Sequence, residues 1–174
     1  MAFRQSDDLK TAAFNFIFEK VCEYGCAIRE KEIAIEELDS DITSLELASD
    51  LAPKSKRIMR SLYDSERMKA QLVADLEKLR KEYELYYKVF IDDLEIKGEE
   101  GIRSSITELT AKEASIKYEI ARLSRMKGNE KQIAHLTILH DCYYTNIESA
   151  YYFFENQRNI KDKNRSTELK KRMD

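Results

Sequence analysis

The sequence predicts an all-α protein: an elongated antiparallel helical bundle or coiled coil of four long helices (up-down-up-down), with a bare two-helix hairpin at one end. Three observations predict it. The 174 residues contain one proline and four glycines, while Glu, Lys, Leu, Ala and Ile are frequent, so little interrupts a helix. Apolar residues recur at alternating steps of three and four, which draws a stripe that another helix must cover. Breaks fall at Asp50–Pro53, Gly98–Gly101 and Gly128, and short connections between long helices make antiparallel neighbours.

The first helix is expected over about residues 6–49, with Ser6 as cap and Asp7 and Asp8 at the positive end of its dipole. One seam position reads Phe14, Val21, Ile28, Ile35, Ile42; the other reads Ile17, Tyr24, Lys31, Leu38, Leu45. Gly25, inside this helix, marks a close helix contact or a slight bend and costs about 1 kcal/mol relative to alanine. The second helix is expected over about 53–97, with Pro53 in its first turn. Its seams are Leu62, Lys69, Leu76, Tyr83, Phe90 and Ser65, Leu72, Leu79, Tyr86, Asp93. Each of these two helices is roughly 60 Å long. Acidic Glu30, Glu32, Glu36, Glu37, Asp39, Asp41 and Glu46 would face basic Lys54, Lys56, Arg57 and Arg60 across the hairpin, pairing that selects partners more than it stabilises.

The third helix is expected over about 102–127, with Ser105 and Glu108 as a capping box and Gly128 as a left-handed end. Its seam is Ile102, Ile106, Leu109, Glu113, Ile116, Ile120 and Leu123. The fourth, about 129–157, starts at Asn129 with Glu130 in its first turn; its seam is Ile133, Leu136, His140, Tyr143, Ile147, Ala150 and Phe154. Residues 1–157 thus form a single helical bundle domain. Residues 158–174, with seven basic and three acidic side chains, form a basic polar extension or tail. A continuous helix through Gly98 and Gly101 is the competing arrangement, and it requires oligomerisation.

Counting residues from the first turn puts three aromatic runs at one height: Phe14 and Phe18, Tyr83 to Phe90, and Tyr143 to Phe154. They are expected to pack as one layer near the second turn, because aromatic side chains bury large areas. Below that layer the first two helices have no third or fourth helix beside them.

A net charge of −3 argues against a general nucleic-acid binder. The N-terminal residues lack the charged and apolar regions of a signal peptide, and no apolar run approaches the ~18 residues of a membrane span. Asn164-Arg165-Ser166 matches the glycosylation pattern, which carries no meaning without export. Three cysteines suggest reduced thiols. A soluble, cytoplasmic protein is expected.

Cys22, Cys26, His140 and Cys142 fall at similar heights, and two thiolates with a further cysteine and an imidazole would make a tetrahedral zinc site. Ordinary packing is the favoured reading, since free cysteine behaves as a small hydrophobe and His140 and Cys142 point to different sides of their helix. His135 and His140 are preceded at the di-iron spacing by Gln132 and Thr137, and no phosphate loop or nucleophile elbow occurs. Neither enzymatic activity nor a cofactor is therefore expected. Glu113, Lys31 and Lys69 on the seams are read as snorkelling side chains, or as residues that set register or meet a partner.

The partner-binding candidates are the tyrosine pairs Tyr143, Tyr144, Tyr151 and Tyr152, since adjacent helical residues cannot all face one core, and the basic tail residues Lys161, Lys163, Arg165, Lys170, Lys171 and Arg172. The expected function is a non-enzymatic coiled-coil structural or interaction protein: an adaptor, scaffold or building block in a larger assembly such as a secretion-system, phage or virus, or tethering complex. Its partners would be other protein subunits, in a homo- or hetero-oligomer. A membrane-surface-associated helical dimer and nucleic-acid contact through the tail are the alternatives; interleaved charges disfavour the first.

Overall fold

The computed structural model describes the backbone of residues 2–173 and the side chains of residues 11–165. Among the described residues the chain forms three long helices and no strand: α1 (Ala2–Leu51), α2 (Lys56–Leu123) and α3 (Glu130–Met173). The expected division into four helices is corrected. The second and third expected helices belong to one element, α2, in which only Gly98 leaves helical geometry, at φ 65° and ψ 176°. That region of backbone space is nearly closed to residues with a Cβ.

Cross-helix contacts define the course of the chain. Lys31 pairs with Asp75 at 3.8 Å, Glu32 with Arg80 at 2.9 Å, and Asp39 with Lys69. From Tyr24 against Tyr86 to Asp39 against Lys69, residue numbers rise on α1 as they fall on α2, so these stretches are antiparallel. Beyond Gly98 the sense inverts: Asn15 donates to Glu108 Oε2 at 2.7 Å, and Glu19 pairs with Lys112. The arm after Gly98 therefore runs with α1, and the chain reverses at this glycine. It is not a straight helix through it. α3 runs against α1, since Cys22 meets Asn146 while Glu30 meets His135.

Helix ends differ from the expected ones for local reasons. α1 is already helical at Ala2, so Ser6 is not its cap; the side chains of Ser6, Asp7 and Asp8 lie outside the described residues. α2 starts at Lys56 and not in the turn of Pro53. Ser55, in extended geometry, is its cap, and its Oγ accepts from the Ile58 N–H at 3.4 Å. The capping box is also corrected. Ser105 lies well inside α2, buried and without a hydrogen-bond partner for Oγ, while Glu108 accepts from Asn15. α2 stops at Leu123, before the expected Lys127, and Ser124 caps it. Gly128 does adopt the left-handed conformation, at φ 85°, immediately before Asn129 and α3.

The core sits at the end of the molecule near Gly98. Phe14, Phe18 and Val21 of α1, Phe90, Leu94, Ile102, Ile106 and Leu109 of α2, and Tyr143, Ile147, Ala150 and Phe154 of α3 form one buried cluster. The expected aromatic layer is its centre. Ring centroids lie 5.9 Å apart for Phe14–Phe90, 5.7 Å for Phe18–Phe90 and 5.4 Å for Phe18–Tyr143, distances at which tilted and edge contacts add to area burial. Tyr83 and Tyr86 pack against this cluster from its edge. The opposite end is different. Leu38, Ile42, Leu45, Leu62 and Leu72 point into the α1–α2 seam but are only half-buried.

Candidate functional site

Titratable side chains collect where the core meets the hairpin. Cys26 and Glu30 stand four residues apart on α1 and so share a face. α3, entering from the turn over residues 124–129, brings His135 against them. His135 Nδ1 lies 2.6 Å from Glu30 Oε1 and 3.7 Å from Cys26 Sγ, and the thiol points to the His135 carbonyl at 3.8 Å. Cys26 is 1 % exposed, whereas Glu30 and His135 are open to solvent. Burial pushes the Cys26 thiol up to about 12, and the charge of Glu30 acts the same way.

The four donors considered from the sequence, Cys22, Cys26, His140 and Cys142, are divided. Cys22 is buried and receives the Asn146 amide at 3.7 Å; that amide also donates to the Cys142 carbonyl at 2.8 Å. Cys142 Sγ packs over Gly25, where an added Cβ would meet it at 3.3 Å and Tyr83 at 3.6 Å. The glycine thus marks a close approach of α3 to α1. Burial raises both thiols, Cys142 to about 11 and Cys22 further. These two cysteines pack as small hydrophobes.

His140 faces the other way, toward the second arm of α2. Its Nε2 is 2.6 Å from Glu113 Oε1, with both side chains mostly buried; the contact is close but off the line of a hydrogen bond. Asp141 lies at 3.3 Å from its Nδ1. Glu113 and His140 were each visible as polar seam positions. Their pairing was not, because heptad position fixes a residue's face but not its neighbour across the bundle. Glu30 and His135 were missed for related reasons. Glu30 read as one of a run of hairpin acids, and His135 lies off the α3 seam. The available signal was the spacing of Cys26 and Glu30.

The partner-binding candidates also separate. Tyr143 is buried against Phe18 and belongs to the core, whereas Tyr144, Tyr151 and Tyr152 are exposed. Tyr144 and Tyr151, seven apart, share one outer face of α3. Lys161, Lys163 and Arg165 are exposed on the helical extension, and Arg158 at its start is paired with Glu99 next to the Gly98 reversal. The side chains of Lys170, Lys171 and Arg172 lie outside the described residues.

The hairpin carries a feature with no counterpart in the seam assignment. Met59, Tyr63, Glu66, Ala70 and Val73 recur at steps of four and three along α2, and all are exposed. They form a second, largely apolar stripe beside the seam that faces α1. A surface cleft borders it, lined by Ile42, Glu46, Glu66, Lys69, Ala70 and Val73.

No helix is long and apolar enough to cross a membrane among the described residues. No family model, no curated protein and no solved structure matches the chain.

Proposed function

We propose that the chain is a non-enzymatic coiled-coil interaction protein, a building block of a larger assembly. In this reading the four helical segments act as an up-down-up-down bundle that forms a rigid body, and the hairpin of α1 and α2 is a projecting arm. The arm's occupant is a second copy of the chain. The observation that carries the reading is the second stripe: Met59, Tyr63 and Val73 are 50 %, 64 % and 37 % exposed at heptad spacing, the pattern of a coiled-coil seam without its partner.

Charge favours a second copy in that place. The α1 side of the arm is acidic at Glu36, Glu37, Asp41 and Glu46, and the α2 side is basic at Lys54, Lys56, Arg57 and Arg60. A two-fold axis sets the same patch of both copies face to face, so each acidic side can meet the other's basic side. Light scattering after gel filtration tests this on the full chain. The expected result is a dimer for the native chain and a monomer of unchanged helicity for the Met59→Glu, Val73→Glu double variant. A native chain that stays monomeric at its highest soluble concentration overturns the proposal.

A further inference from the structure

We propose that Cys26, Glu30 and His135 form a binding site for a divalent metal ion of the zinc type, which fastens the first turns of α3 to the middle of α1. The donor atoms Sγ, a carboxylate oxygen and an imidazole nitrogen come from two helices and all lie within 4.8 Å of one another. Zinc binds sulfur at about 2.3 Å and nitrogen or oxygen at about 2.0–2.2 Å, so tetrahedral neighbours stand about 3.5 Å apart. Cys26 Sγ and His135 Nδ1, at 3.7 Å, already have that separation. Glu30 is closer to the imidazole, at 2.6 Å, and has to withdraw by about 1 Å, which an exposed glutamate on a solvent-facing surface can do.

The chemistry of the donors favours an ion. His135 Nδ1 carries one lone pair or one proton, yet both a carboxylate and a sulfur atom converge on it. A metal ion placed between the three donors would bond to all of them at once. A thiolate with an imidazole selects zinc-like metals over magnesium or calcium, which prefer oxygen. On binding, the S–H bond of Cys26 breaks and its proton leaves to solvent, giving one metal–thiolate bond. With Glu30 ionised, the two negative ligands balance the charge of the ion. The fourth position opens on the solvent side and would hold water, as in other three-ligand zinc sites. The site is independent of the hairpin's association: it lies where the bundle ends, and its failure would leave the second stripe unaffected.

The test uses the reduced full chain, first with cobalt(II) as a spectroscopic stand-in and then with zinc. The expected result is one ion per chain with the thiolate charge-transfer and tetrahedral visible bands of cobalt, and a raised melting temperature with zinc. Cys26→Ser and His135→Asn should each weaken binding at least tenfold, and Glu30→Gln should weaken it less. Cys22→Ser and Cys142→Ser should retain it. His135 is half-exposed, so His135→Asn keeps the test valid even if a change at buried Cys26 disturbs folding. Absence of the thiolate band, or one bound zinc that survives both Cys26→Ser and His135→Asn, would overturn the proposal.

Discussion

The two ends of this molecule are written in the same heptad repeat and packed to different degrees. At the end near Gly98, seam residues Phe14, Phe90, Tyr143 and Phe154 are buried. At the end near Pro53, seam residues Leu38, Ile42, Leu45, Leu62 and Leu72 are half-buried. The repeat only requires that each stripe meet another helix. What completes burial is the number of segments that converge. Two helices cover one side of each seam residue, whereas the second arm of α2 and α3 close the remaining sides around the aromatic layer. The hairpin therefore keeps contact surface available that the bundle has used up.

The sharpest way to break this contrast is to truncate one interior side chain at each end. Phe18 touches both Phe90 and Tyr143 and has no exposed surface. Phe18→Ala should destabilise the chain by about 3–5 kcal/mol. Leu38→Ala, at a half-buried site, should cost a chain kept monomeric by dilution only about 1–2 kcal/mol. Urea melts of the two variants decide the matter. Equal costs would mean that the hairpin seam is covered as fully as the core.

The reversal at Gly98 is what makes the ends unequal, so it is the next place to press. A Cβ at Gly98 would meet nothing within 4 Å, and its cost is then purely that of a backbone with φ 65°. Gly98→Ala should lose about 1–3 kcal/mol. The strain has one escape, which is to straighten α2 and pair the released arm with another copy. Light scattering should therefore show a larger, concentration-dependent species in Gly98→Ala. A variant as stable and as compact as the native chain would mean that the reversal does not depend on this glycine.

Much of this arrangement was legible in the sequence because it rests on periodicity and on height along the axis. Every residue assigned to an α1, α2 or α3 seam is withheld from full exposure, Lys31, Lys69 and Glu113 included. The shared aromatic layer followed from counting residues between breaks. Facing was less legible. His140 turned to Glu113, not to the cysteines, since two residues along a helix rotate the side chain by about 200°, to the opposite face. Tyr143 and Tyr144 divided between core and solvent, but Tyr151 and Tyr152 both face out, because the core at that height is already closed by Ala150 and Phe154. Helix ends were least legible. Ser105 and Glu108 matched a capping box in spacing, but a single glycine reversed the chain and the helix resumed a turn earlier.

Alkaline pH should act on the bundle end first. Cys22, Cys26 and Cys142 lie in or beside the bundle core, and the hairpin from Lys31 to Asp75 has no cysteine. Burial keeps these thiols protonated in the folded chain, to about 12 for Cys26 and about 11 for Cys142, while an exposed thiol ionises near 9.0. A raised folded value stabilises fully below the unfolded one, so stability should hold up to about pH 9 and fall as pH rises through 11 and 12. Amide exchange should show protection lost in the bundle before the hairpin. Cys22→Ala should make the decline shallower. A decline that begins in the hairpin would reverse the comparison.

The smallest effect is expected at Lys69, and it concerns what the hairpin's charges do. Lys69 occupies a seam position and pairs with Asp39, with both side chains more than a third exposed. Ion pairs so open to water contribute about 0–1 kcal/mol, because solvent screens the attraction and ordering two long side chains costs entropy. Lys69→Leu removes the pair but adds an apolar residue to a half-covered seam. The two terms should nearly cancel, leaving monomer stability within about 0.5 kcal/mol of native. Specificity should change more than stability. With a leucine at this height the seam loses a polar register mark, and the acidic and basic sides of the arm lose one of the contacts that align them. Disulfide trapping between cysteines placed at residues 45 and 62 should then report a broader distribution of pairings in the variant than in the native chain. If Lys69→Leu instead destabilised the hairpin by several kcal/mol with its pairing unchanged, the ion pair would be a structural element, and the hairpin would owe its stability to charge and not to its half-buried seam.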